Sequence, residues 1–101
     1  MSDDKIVLTI DADLEDLIPG FLENRSRDIV TLREALGKDD FPAIQSLGHS
    51  LKGVGGGYGF DEITNIGMAL ENAAKSQNRE EISVLITNYA DYLDRIEITY
   101  E

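Results

Sequence analysis

The sequence contains no cysteine, no tryptophan, only two prolines and a single histidine among its 101 residues. The absence of cysteine excludes disulfide bonds, thiolate catalysis and sulfur-ligated metals. Positive charge is also scarce, since twenty acidic residues against nine basic ones give a net charge of -11. A surplus of this sign argues against nucleic acid and anionic membrane surfaces as partners.

Long hydrophobic runs are missing as well. No segment approaches the ~20 consecutive apolar residues that span a bilayer. The first thirteen residues, MSDDKIVLTIDAD, lack the basic leader and apolar run of a secretory signal. We therefore expect a cytoplasmic protein with no membrane partner. Because 101 residues is an ordinary size for one domain with one core, we expect residues 1–101 to form a single domain.

Four segments carry hydrophobic residues at spacings of three, four or seven, which is the pattern of amphipathic helices. Very short connections between them favour antiparallel neighbours, so the sequence predicts an all-α, up-down-up-down four-helix bundle over about residues 11–96. Asp11 or Asp13 could cap a short N-terminal helix at residues 14–18. The other boundary signals are Pro19 in the first long helix and Gly37 at its end, Asp39 or Asp40 before the second, Asp61 at the start of the third, and residues 78–80 at the start of the fourth.

Both ends of the chain have short, β-branched segments, residues 6–10 (IVLTI) and 96–100 (IEITY). Alternation between two faces is typical of strands, and the two segments could pair as a small β-ribbon. Alternatively, the first is a loose arm and the second is only the last turn of a helix. The sequence leaves both possibilities open.

The central segment, residues 45–60 (QSLGHSLKGVGGGYGF), contains the only histidine, His49. Read as a helix, it has an apolar stripe on one side and a polar face that includes the imidazole on the other. The sequence therefore predicts that His49 points to solvent. The stripe consists of Phe41, Ile44, Leu47, Leu51, Val54 and Tyr58, and the opposite face of Gln45, His49, Lys52, Gly53 and Gly56.

Five glycines lie between residues 53 and 59, and each costs roughly 1 kcal/mol relative to alanine inside a helix. The apolar stripe nevertheless continues without a slip, so we expect the helix to reach about Tyr58. Gly48 and Gly55 fall towards the packed side, whereas Gly53 and Gly56 face outward. A nucleotide-binding loop is disfavoured, because the run lacks G-K-[ST] and no strand precedes it.

The second and third helices, if they form a hairpin that turns near Gly59 and Phe60, place residues equidistant from the turn at the same height. This places His49 level with Glu71, at the edge of its helix. A carboxylate there could accept a hydrogen bond from Nδ1–H, which fixes the tautomer and leaves Nε2 bare and outward-facing, as a nucleophile requires. The alternative is an ordinary solvated glutamate.

The segment His49-Ser50-Leu51-Lys52-Gly53, followed by Gly59, resembles the H-x-[LI]-K-G-x(5)-G signature of histidine phosphotransfer (HPt) domains. Residues from about 11 to 96 are also similar to this family in helix count and stripe spacing. The Gly-Tyr-Gly-Phe ending is similar to the phosphotransfer domain of chemotaxis histidine kinases. In that domain a glutamate on the following helix partners the histidine, and Glu71 matches its position.

The resemblance implies a bundle whose His49 accepts a phosphoryl group at Nε2 from an aspartyl phosphate on a receiver domain and passes it to another receiver. It implies that Lys52 screens the phosphoryl charge, that Gly53 and Gly56 let the receiver approach, and that Gln45 belongs to the docking surface. Since a receiver brings its own Mg²⁺, we expect no metal site, no cofactor and no kinase or phosphatase activity here.

Two alternatives remain open at this point. The chain could be the substrate domain of a chemotaxis-type histidine kinase, phosphorylated from ATP by a catalytic domain in trans. It could also be a helical interaction module that docks receivers without accepting phosphate. In each case we expect a monomer whose partners are receiver domains, a histidine kinase, or both.

Overall fold

The computed structural model describes residues 4–101, which form four long helices and two short strands. The prediction of four helices is therefore confirmed. Within this described part of the chain, no helix is both long enough and apolar enough to cross a membrane. The elements are β1 (Ile6–Ile10), α1 (Ile18–Gly37), α2 (Phe41–Val54), α3 (Asp61–Lys75), α4 (Arg79–Arg95) and β2 (Ile96–Tyr100), with 3₁₀ helices at Ala12–Leu14 and Gly56–Tyr58.

Side-chain caps start two of the long helices where the sequence predicts them. A carboxylate oxygen of Asp40 accepts a hydrogen bond of 3.2 Å from the backbone N–H of Ala43, at the start of α2. The Asn78 side chain accepts one of 3.1 Å from the N–H of Glu81, at the start of α4. These bonds satisfy N–H groups that have no partner inside a helix.

The short N-terminal helix lies earlier than predicted. It is a 3₁₀ turn at Ala12–Leu14, not a helix at residues 14–18, and Asp11 caps it by accepting a 2.9 Å hydrogen bond from the N–H of Asp13. The cap at Asp11 starts a single turn. A separate helix, α1, then begins at Ile18 with Pro19 in its first turn.

Each long helix contacts the next one along the chain, and α4 also contacts α1, so the four helices surround one hydrophobic core. The α2 and α3 helices make the closest approach. A Cβ added at Gly48 would lie 2.8 Å from the carbonyl oxygen of Gly67, and one added at Gly67 would lie 2.7 Å from the carbonyl oxygen of Gly48. Absence of side chains at both positions lets the two backbones touch. The largest fully buried side chains are Tyr89, Phe60, Ile10, Ile18, Leu32, Ile44, Leu51, Ile63, Leu70 and Ile82.

The α2 helix ends at Val54, and the prediction that it reaches about Tyr58 is wrong. The N–H of Gly56, which would bond to the carbonyl of Lys52 in a longer α-helix, instead donates a 2.9 Å hydrogen bond to Oγ1 of Thr64. The chain then tightens into the 3₁₀ turn Gly56–Tyr58 and reverses at Gly59, whose φ of 87° is a conformation that favours glycine. A contact from α3 therefore ends the helix.

The terminal strands lie side by side and run parallel, with Ile6 opposite Ile96 and Ile10 opposite Tyr100. Alternate residues of β1 are covered, and Ile10 is only 2% exposed. The outward-facing Thr9 and Thr99 hydroxyls approach to 3.3 Å. This ribbon closes over the turn that follows α2, because a side-chain atom of Ile10 lies next to Gly59.

Candidate functional site

His49 lies on the exposed face of α2, and its side chain is 68% exposed. The neighbouring positions Ile44, Gly48 and Leu51 are buried and hold α2 against the rest of the bundle. The helix therefore fixes the base of the side chain firmly while the imidazole ring projects into solvent.

Glu71, on α3, faces the histidine across the closest helix contact in the molecule. Its Oε2 lies 3.1 Å from Nδ1 of His49, and its Oε1 lies 3.0 Å from Nζ of Lys52. The Glu71 side chain is only 11% exposed. The three residues that the hairpin reasoning and the family resemblance singled out separately thus form one cluster.

The charge of Glu71 determines which nitrogen of His49 carries the proton. The Lys52 ammonium holds the pKa of the Glu71 carboxyl below its ordinary value, the His49 ring acts in the same direction, and burial opposes both. An ionised carboxylate can only accept hydrogen bonds, so Nδ1 must be the donor. Nε2 of the neutral ring then carries a free lone pair, with no hydrogen-bond partner among residues 4–101. A lone pair presented to solvent in this way can act as a nucleophile.

Lys52 lies one helical turn beyond His49 on the same face of α2. Its side chain is 37% exposed, and its ammonium is engaged with Glu71. Lys52 and His49 thus contact the two oxygens of the same carboxylate in the unmodified protein.

Two outward-facing glycines follow Lys52, Gly53 in α2 and Gly56 in the 3₁₀ turn after it. A Cβ added at Gly53 would meet nothing within 4 Å, and one added at Gly56 would have only Oγ1 of Thr64 and Oδ1 of Asp61 near it, at 3.7 and 3.8 Å. Both glycines are exposed. The surface at Gly53 and Gly56 is therefore open, as the sequence predicts for these two outward-facing glycines.

Gln45 lies one turn before His49 and is half-buried. Together with Pro42 and Ser46 it lines a shallow groove that ends at His49 and Glu71. Polar side chains thus lie before His49 along this surface, and glycines lie after it.

Sequence reasoning missed two residues of this region, Thr64 and Lys75. Thr64 holds the turn after α2 through its bond with Gly56. Lys75 lies one turn after Glu71 on α3, with its ammonium 4.0 Å from Oε2 of that residue. Equal distance from the hairpin turn, the relation that matched His49 with Glu71, also pairs Gly56 with Thr64 and Gln45 with Lys75, so it could have identified both.

No group of three or more histidine, cysteine or acidic side chains suited to a metal ion occurs in residues 4–101. What the site offers is one exposed nucleophilic nitrogen, a carboxylate that orients it and a cation beside it.

The described part of the chain is thus a four-helix bundle that presents a histidine oriented by a buried carboxylate. A family profile described as Hpt domain matches residues 16–98. The chain belongs to the Hpt domain family, whose members carry out histidine phosphotransfer in phosphorelay signal transduction and interact with receiver domains and kinases. Comparison with curated proteins and with solved structures found no match.

Proposed function

We propose that this protein relays a phosphoryl group between aspartyl residues of receiver domains through a phosphohistidine at His49, carried by an antiparallel up-down-up-down bundle. The observation that supports this best is the 3.1 Å contact between Nδ1 of His49 and Oε2 of Glu71, on a ring that is otherwise exposed. This contact orients the ring and leaves Nε2 facing solvent.

The transfer step follows from this geometry. The Nε2 lone pair attacks the phosphorus of an aspartyl phosphate, the P–N bond forms, and the acyl P–O bond breaks with its electrons on the leaving aspartate. The imidazole gains positive charge as it donates its lone pair. Glu71 stabilises that charge by accepting the hydrogen bond from Nδ1–H, and the proton stays on Nδ1 throughout. Transfer to a second receiver is the same step in reverse.

The other residues have supporting roles in this proposal. Lys52 screens the charge of the phosphoryl oxygens, Gly53 and Gly56 admit the edge of the receiver, and Gln45 contacts the receiver from the other end of the groove. Phosphoryl transfer needs mainly positioning and charge neutralisation, and the receiver supplies Mg²⁺ for the latter. The domain itself acts as an intermediate without kinase or phosphatase turnover, as a monomer in the cytoplasm.

The decisive experiment is transfer from ³²P-labelled receiver domains of the source organism, screened one by one. We expect one or more of them to label the protein with an acid-labile, base-stable phosphate. His49→Gln should abolish the label, and Ser50→Ala, which removes the adjacent hydroxyl, should retain it. A label that persists in His49→Gln would contradict the proposal. Labelling only by a histidine kinase with ATP, and by no receiver, would instead favour a kinase substrate domain.

A further inference from the structure

The Glu71 carboxylate has two lysines within reach. Lys52 is in direct contact at 3.0 Å from Oε1, whereas Lys75 lies at 4.0 Å from Oε2, the outer limit of an ion pair. Lys52 approaches from α2 and Lys75 from the last residue of α3. The two cations thus reach different oxygens of the same buried carboxylate, and only Lys52 is in close contact with it.

Phosphorylation of His49 would change the competition for Lys52. A phosphoryl group carries roughly two negative charges and three acceptor oxygens at neutral pH, more than one carboxylate offers. Lys52 lies one turn from His49 on the same face, so a group on Nε2 would compete with Glu71 for its ammonium. Loss of Lys52 would leave a carboxylate that is only 11% exposed without its closest counter-ion, which is costly for a buried charge.

We propose that Lys75 is a positioning residue that replaces Lys52 as the counter-ion of Glu71 when the phosphoryl group on His49 engages Lys52. The Lys75 side chain is 54% exposed and has a flexible four-carbon stem, so a small rotation can shorten its 4.0 Å separation from Oε2. Glu71 and Lys75 are spaced i, i+4 with the glutamate first, which is the favourable order on a helix. The exchange keeps Glu71 ionised and hydrogen-bonded to Nδ1 in both states of the histidine. The inference rests on the proposed function only for its phosphorylated state.

A double-mutant cycle in unphosphorylated protein tests the exchange directly. The readout is the pKa of Glu71, followed by NMR of its side-chain carboxyl carbon. With Lys52 present, we expect Lys75→Met to raise this pKa by less than about 0.3 units, because Lys75 is held only loosely. In the Lys52→Met background the same change should raise it by about one unit, the usual effect of a close opposite charge. Equal shifts in the two backgrounds would overturn the inference.

Two further variants separate a specific role from a general effect of charge. In the Lys52→Met background, Lys75→Arg should leave the pKa of Glu71 unchanged, since any cation of similar reach at position 75 can take the place of Lys52. Arg27→Met removes one positive charge from the exposed face of α1, where Arg27 pairs with Glu23, and should leave the pKa of Glu71 unchanged. A shift caused by Arg27→Met as large as that caused by Lys75→Met would also overturn the inference.

The last arm uses phosphoramidate as the phosphoryl donor, so no receiver is needed. The P–N bond of phosphoramidate breaks, ammonia leaves, and a new P–N bond forms to Nε2 of His49. In the phosphorylated wild-type background we expect Lys75→Met to raise the pKa of Glu71 by about one unit, as in Lys52→Met protein. An unchanged pKa there would contradict the exchange. Failure of the wild type to take up phosphate at His49 would instead contradict the proposed function, and the unphosphorylated cycle would still decide the role of Lys75.

Discussion

Nδ1 of His49 and Oε2 of Glu71 lie 3.1 Å apart, although twenty-two positions separate the two residues in the chain. The contact requires α2 and α3 to approach so closely that Gly48 and Gly67 have no room for a side chain. It also requires a charged glutamate at a buried position, which Lys52 stabilises. The orientation of the histidine is therefore a property of the helix pair and not of α2 alone.

Replacement of Glu71 by glutamine should disturb the histidine more than the fold. The amide can donate as well as accept, so Nδ1 is no longer required to carry the proton, and Nε2–H becomes populated. We expect ¹⁵N NMR of the ring to change from a dominant Nδ1–H tautomer to a mixture. Phosphorylation should slow by about 10- to 100-fold, by analogy with metal-binding histidines that lose the carboxylate that orients them.

The matched control for this prediction is Glu34→Gln, which removes a carboxylate at an exposed position of α1. It should change neither the tautomer nor the rate. A ¹⁵N spectrum of Glu71→Gln identical to that of the wild type would show that Glu71 does not set the tautomer.

Much of the architecture was predictable because its signals are local. Asp40 and Asn78 cap their helices through bonds to residues three positions later, and such bonds can be read from spacing alone. The apolar stripes are also local, and they correctly separated the packed Gly48 from the open Gly53. The match between His49 and Glu71 needed one further assumption, that of a hairpin between neighbouring helices.

The features that were not predictable depend on contacts between distant segments. The end of α2 is set by the Thr64 hydroxyl, which takes the N–H of Gly56 out of the helix. The apolar stripe continues through this turn, so its periodicity does not indicate where the helix ends. The parallel pairing of β1 with β2 joins residues 90 positions apart, and β-branched composition alone does not choose a partner or a direction.

The two α2 glycines Gly48 and Gly53 should respond to alanine in opposite ways. At Gly48 a Cβ would lie 2.7 Å from the backbone nitrogen of Glu71, so we expect Gly48→Ala to lower the free energy of unfolding by at least about 2 kcal/mol. At Gly53 a Cβ meets nothing within 4 Å, and the variant should gain roughly 0.4 to 1 kcal/mol from reduced chain entropy in the unfolded state. Urea denaturation measures both, and similar effects at the two sites would refute this packing argument.

A bulky residue at Gly53 should impair transfer without loss of stability. Gly53→Leu places a side chain on the bare surface beyond Lys52, where the proposed receiver must approach. We expect transfer from a phosphorylated receiver to fall by about tenfold or more, equivalent to about 1.4 kcal/mol of lost docking or transition-state stabilisation. Labelling by phosphoramidate, a donor too small to touch residue 53, should stay near the wild-type rate and serves as the control. Equal losses with both donors would place the effect on His49 itself.

The terminal ribbon should contribute to stability mainly through its covered face. Ile10 is 2% exposed and packs next to Gly59, so Ile10→Ala should lower the free energy of unfolding by about 2 to 5 kcal/mol. Val7, in the same strand, is 60% exposed, and Val7→Ala should change the free energy by no more than about 0.5 kcal/mol. Equal and small effects in urea denaturation would mean that β1 does not pack on the bundle in solution.

Two acidic residues should give the stability of the protein opposite pH dependences. The pKa of Glu71 is lowered, chiefly by Lys52, so the ionised group stabilises the folded state above its ordinary pKa. That contribution is lost as pH falls through the lowered folded value. The pKa of Asp28 is raised, because burial outweighs its bonds with Arg25 and Tyr89. Its ionised form therefore costs stability at neutral pH, and this cost disappears as pH falls through the raised value.

Urea denaturation between about pH 6 and about pH 3, where carboxylates titrate, checks both signs. Relative to Glu71→Gln, the wild type should lose stability as the pH falls, because only the wild type gives up a favourable charge. Relative to Asp28→Asn, the wild type should gain stability over the same range, because only the wild type loses an unfavourable one. Each variant serves as the control for the other, since a general effect of acid on this highly acidic chain would move both comparisons in the same direction. A common direction would mean either that Lys52 does not outweigh burial at Glu71 or that burial does not outweigh Arg25 at Asp28.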